Sequence, residues 1–97
     1  MGTLEYNSSR PAIDIEDVTL AHLKIVIGTK LRRNESFMMT WLPKPEVPSG
    51  RLTIWVHPSI PLVLEFDQPT VATIDPKRVT HMMEQLNSRG ELVLDQL

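Results

Sequence analysis

Two apolar runs, Leu52–Val56 and Leu62–Phe66, are separated by His57-Pro58-Ser59-Ile60-Pro61. Each run alternates with the two-residue period of a strand. Pro58 and Pro61 lack a backbone N–H and fix φ, so the link cannot continue a sheet ladder and must be a stiff turn. The spacing predicts antiparallel neighbours at the centre of a sheet. Alternation then puts Leu52, Ile54 and Val56 on one face with Leu62, Leu64 and Phe66. Thr53, Trp55, His57, Val63 and Glu65 fall on the other.

The remaining elements follow from period and punctuation. Thr3–Tyr6 and Ala12–Ile15 read as hairpin strands around the turn cluster Asn7-Ser8-Ser9-Arg10-Pro11. A helix is predicted from Glu16 to Arg33, with Leu20, Leu23, Ile27 and Leu31 on one face. Glu16 or Asp17 suits its start, Lys30, Arg32 and Arg33 suit its last turn, and Asn34 suits a left-handed stop. Gly28 costs this helix about 1 kcal/mol relative to alanine, which predicts a close approach to a strand there. Ser36–Leu42 is a third strand, followed by a proline-rich loop from Pro43 to Gly50. Asp75 and Pro76 open a second helix as N-cap and first helical residue. Its apolar face is Val79, Met82, Met83 and Leu86, Gly90 ends it, and Glu91–Asp95 is the last strand. The order ββαβββαβ predicts an α+β fold: a single, mostly antiparallel sheet with two helices packed on one face. The other face would be wet.

At 97 residues, 41% hydrophobic and 23% charged, the chain supplies one core and one domain over residues 1–97. The absence of cysteine excludes disulfides, thiolate metal sites and a cysteine nucleophile, and fits the cytoplasm. The first residues lack a signal-peptide pattern, and the run Ile25-Val26-Ile27 is too short to span a membrane. A net charge of −2 speaks against strong non-specific nucleic-acid binding.

Chemistry is sparse. His57, Ser59 and Asp67 could be arranged as base, nucleophile and carboxylate, but no nearby glycine frees amides for an oxyanion hole. A turn whose histidine and serine satisfy backbone groups is the simpler reading. Asp14, Glu16, Asp17 and His22 match no metal-ligand spacing, so no metal is expected. None of the four glycines begins a helix, so no phosphate cradle or cofactor motif is present. Lys30, Arg32 and Arg33 could contact an anion or nucleic acid, although helix-dipole complementarity accounts for all three.

The aromatics are more informative. Trp55 alternates out of its strand's core face, and Trp41 either joins it on the wet face or lies inward with Phe37 and Met39. Such a patch marks an interaction surface, assigned to Trp55, Trp41, Thr53 and His57. The expected function is a non-enzymatic binding or interaction module, homodimeric through its sheet, with a protein partner not specified by the sequence. The alternative is a nucleic-acid-associated accessory protein with weak binding through Lys30, Arg32 and Arg33.

Four segments together resemble a known family: Met1-Gly2-x-Leu4-x-Tyr6, Leu20-Ala21-His22-Leu23-Lys24-x-Val26-Ile27, Lys30-Leu31-Arg32-Arg33-x-Glu35-Ser36-Phe37 and Arg51-x-Thr53-x-Trp55-x-His57-Pro58-Ser59-Ile60-Pro61-Leu62. The chain is similar to short actinobacterial proteins often labelled ATP-dependent DNA ligase. The label implies a lysyl–adenylate formed on Lys-x-Asp-Gly. Lys24, Lys30, Lys44 and Lys77 are followed by Ile-Val-Ile, Leu-Arg-Arg, Pro-Glu-Val and Arg-Val-Thr, so none fits. The resemblance transfers no catalytic residue to this sequence.

Overall fold

The strands sort into two three-stranded sheets, where the sequence predicts one. The computed structural model describes residues 1–7, 13–42, 50–70 and 72–96. In chain order the elements are β1 (Gly2–Tyr6), β2 (Ile13–Ile15), α1 (Asp17–Arg32), β3 (Phe37–Trp41), β4 (Leu52–Val56), β5 (Leu62–Glu65), α2 (Pro76–Arg89) and β6 (Glu91–Val93), with a 3₁₀ turn at Leu94–Gln96. The α+β class and the order ββαβββαβ stand. The hairpin turn at 8–12 and most of the proline-rich loop, residues 43–49, lie outside the described residues.

One sheet has the order β2-β1-β5 and is antiparallel throughout. The other has the order β4-β3-β6, with β3 antiparallel to β4 and parallel to β6. The expected pairing of β4 with β5 is therefore corrected. The turn after β4, closed by the Ile60 N–H donating to the His57 carbonyl at 3.0 Å, carries the chain from one sheet to the other. There β5 pairs with β1, from Thr3↔Glu65 to Tyr6↔Leu62. The prolines do force a stiff turn, but a stiff turn redirects a strand as readily as it reverses one.

A single core joins both sheets and both helices. It includes Leu4, Ile13, Ile15, Leu20, Leu23, Val26, Phe37, Met39, Ile54, Val56, Met82, Leu86 and Leu92. α1 contributes more than one stripe, since Ala21, His22 and Lys30 are buried beside the predicted leucines. α1 stops in a Schellman arrangement: Glu35 N–H donates to the Lys30 carbonyl, Asn34 N–H to that of Leu31, and Asn34 has φ 60°. α2 is capped as expected. The Asp75 carboxylate accepts from the Lys77 amide at 3.0 Å, and Gly90 ends the helix at φ 71°. Among the described residues no helix is long and apolar enough to cross a membrane.

Two local expectations are corrected. A Cβ at Gly28 would meet nothing within 4 Å, so no strand approaches there; the close approach is at Gly2. A Cβ at Gly2 would fall 2.6 Å from the Glu65 carbonyl oxygen, 2.7 Å from Leu20 Cδ2 and 2.8 Å from Asp17 Oδ1. Nor does Glu16 or Asp17 make a side-chain cap on α1. The Asp17 carboxylate instead accepts from the backbone amides of Asp67 at 3.1 Å and Gln68 at 3.0 Å.

Candidate interaction surface

Strand parity decides which aromatics reach solvent. Phe37, Met39 and Trp41 alternate inward on β3 and are buried; Met38 turns outward. Trp55 turns outward from β4, between buried Ile54 and Val56. Trp41 thus leaves the predicted patch: it is 5% exposed, packed in the core with Phe37 and Met39. Its indole N–H is buried without a hydrogen-bond partner among the described residues.

Trp55 gains a different neighbour. Met38 lies directly opposite it in the β3–β4 register. The Met38 N–H donates to the Gly90 carbonyl, so the Met38 main chain faces β6. Met38 and Trp55 therefore form a non-hydrogen-bonded pair, the kind whose side chains stand closest together. They are 40% and 48% exposed. Sequence reasoning passes over Met38, although its position between Phe37 and Met39 on an alternating strand carries the signal.

The same parity turns the Trp55 main chain toward the open edge of β4. Its carbonyl does not stay open, because the Tyr6 hydroxyl donates to it at 2.7 Å. Tyr6 thus links the two sheets and blunts the edge. Beside the apolar pair, Thr53 and Thr40 are cross-strand partners, with hydroxyls 2.8 Å apart, and Thr40 donates to Glu91 Oε2 at 2.6 Å. Thr53 must then supply the hydrogen between the two threonines. The threonine hydroxyls beside Trp55 and Met38 are thus engaged with each other and with Glu91.

His57 sits half-buried at the margin of this face. Its Nδ1 accepts from the Ser59 N–H at 3.1 Å and lies 2.7 Å from Ser59 Oγ. Because the amide can only donate, Nδ1 is an acceptor, and the serine hydroxyl points to it as well. The pair organises its own turn.

The basic cluster is divided. Lys30 is buried, 6% exposed, with Nζ donating to Asn87 Oδ1 at 3.0 Å and 3.6 Å from Glu35 Oε1. Arg32 donates through Nε to the Gly28 carbonyl, and Arg33 is exposed beside it. The three cations do not form one contact surface, because Lys30 turns toward α2. His22, 1% exposed, uses both ring nitrogens: Nε2 accepts from the Asp75 amide at 3.0 Å, which leaves Nδ1–H to donate to the Val18 carbonyl at 2.6 Å. Among the described residues no three histidine or acidic side chains are grouped as a metal could use them.

No curated protein matches the chain, and no solved structure does. A family match covers residues 1–96 under the description "Domain of unknown function (DUF7882)", and the chain belongs to that family.

Proposed function

We propose that this domain is a non-enzymatic interaction module whose partner is a second copy of itself, seated on the outward face of β4-β3-β6. The observation behind this is the adjacent, outward-facing pair of Trp55 and Met38. A large aromatic with an apolar neighbour is the usual anchor of an association surface. A two-fold arrangement lets one patch serve as both halves of the interface. The sheet face suits this better than the β4 edge, where Tyr6 already occupies the Trp55 carbonyl.

An aromatic side chain buries 150–250 Å² when covered, and with about half of Trp55 exposed each copy offers roughly 100 Å². Two copies at about 25 cal/mol per Å² set an upper bound near 5 kcal/mol for the indoles. Interface tryptophans typically cost about 2 kcal/mol or more on truncation. Trp55→Ala should therefore raise the dimer dissociation constant about 30-fold or more without unfolding the chain. Light scattering across tens of micromolar is the test, and a wild-type mass of one chain throughout overturns the proposal. With Lys30 buried, a nucleic-acid role would keep only Arg32 and Arg33 of its predicted cluster, and no observation favours it.

A further inference from the structure

The segment between β5 and α2, a strap described on either side of residue 71, is tied to α1 near both of its ends. At its start, Asp17 accepts from the Asp67 and Gln68 amides with one oxygen each. At its end, the buried His22 accepts from the Asp75 amide. Asp17 and His22 lie little more than a turn apart on α1, so both anchors hold the segment against the same stretch of that helix. Between α1 and the described residues of this segment is a groove of about 300 Å³, walled by Ala21, Ile25, Phe66 and Ile74, with Lys24, Gln68 and Thr70 as its polar lining. Ile25 is 39% exposed. Lys24 makes no hydrogen bond or ion pair with the described residues.

We infer that this groove binds a small amphipathic monocarboxylate, with its apolar body under the strap and its carboxylate on Lys24. Apolar walls with few placed polar groups are the ordinary make-up of a small-ligand site. A volume about twice that of an apolar cavity that accepts benzene takes a body of roughly eight to ten heavy atoms. The single lysine ammonium is a compact point charge and matches one carboxylate. A dianionic phosphate group would call for more positive charge than the one cation among the described lining residues, Lys24, supplies. The site is built from α1 and the strap, so it is independent of the self-association surface.

The test uses the full-length, ¹⁵N-labelled chain with octanoate and its neutral counterpart 1-octanol. Octanoate is expected to give saturable amide shifts at residues 21–25 and 66–74, and 1-octanol to bind the same residues more weakly. Lys24→Gln, at an exposed position, should weaken octanoate about two- to fivefold, the worth of an exposed ion pair, and leave 1-octanol unchanged. Absence of saturable shifts at millimolar octanoate overturns the inference, as do shifts confined to other residues. Equal binding of acid and alcohol, insensitive to Lys24→Gln, also overturns it.

Discussion

The same substitution, glycine to alanine, should have opposite effects at the two ends of the α1 environment. At Gly28 the added methyl enters open space and the change removes the entropy penalty of a mid-helix glycine, stabilising by about 0.8–1 kcal/mol. At Gly2 the methyl would sit 2.6 Å from the Glu65 carbonyl oxygen. Leu20 and Asp17 side chains could rotate away, but that oxygen belongs to the backbone opposite β1. Either β1 or β5 must move, and overpacking of this kind costs about 1–3 kcal/mol. The variants should thus differ by roughly 2–4 kcal/mol. With a urea m-value of about 1–1.5 kcal/mol per molar for a chain this short, their midpoints should be separated by about 1.3 M or more. Both must be measured at one protein concentration, since self-association adds to apparent stability. A Gly28→Ala variant less stable than wild type would refute the reasoning and reveal a neighbour over that helix face. A neutral Gly2→Ala would show that the junction of β1, β5 and α1 has slack.

Further outcomes follow from particular contacts. Arg51 donates to Asp95 at 2.8 Å, and this hydrogen bond holds the Asp95 carboxyl below its ordinary range and raises Arg51. A depressed folded value means that the contribution is fully present above the unfolded carboxylate range near about 4 and lost as pH falls through the lower folded value. Both groups being exposed, the effect is small: urea midpoints of wild type and Asp95→Asn should differ slightly at neutral pH and converge in strong acid. Asp17→Ala removes the acceptor of two strap amides, so hydrogen exchange at Asp67 and Gln68 should accelerate while exchange in β3 stays slow. Labelled ATP with magnesium should leave no adenylate on the chain, since no lysine stands in Lys-x-Asp-Gly; a stable lysine-linked adenylate would reverse that expectation.

Features set by local chemistry were legible in the sequence, and those set by long-range choice were not. The β1–β2 pairing, both α2 caps and the inward face of β4 follow from residue types within a few positions of one another. Where β5 goes after the turn does not, because Pro58 and Pro61 constrain the bend and not the partner. The parallel addition of β6 to β3 joins strands separated by more than forty residues of chain, so it too is a tertiary choice. Gly28 misleads because a helical glycine signals either crowding or mere tolerance, and only the neighbours tell which. Lys30 misleads because its long apolar stem allows burial while its ammonium still reaches Asn87 and Glu35. Of the predicted surface, Trp55 and Thr53 face outward, His57 lies at the margin and Trp41 lies inside. Parity ties Trp41 to Phe37 and Met39 but does not say which face of that strand turns inward, so the sequence left its placement open.

The hydrogen bonds around Trp55 also fix what kind of association its face can support. Tyr6 takes the Trp55 carbonyl, and the Thr53 hydroxyl donates to Thr40, which donates to the Glu91 carboxylate. The hydroxyl hydrogens on the sheet face are therefore already committed, and a partner seated on that face, away from the β4 edge, is held chiefly by apolar contact. Apolar contact responds weakly to ionic strength, because no counterions are released when it forms. Binding to phosphates through Arg32 and Arg33 would instead weaken steeply with added salt. The proposed dimer should accordingly keep its dissociation constant within about twofold as salt is raised from low to physiological concentration, measured by sedimentation velocity. A dimer that dissociates over that range would be held by charge, and its interface would lie elsewhere than the Trp55–Met38 pair.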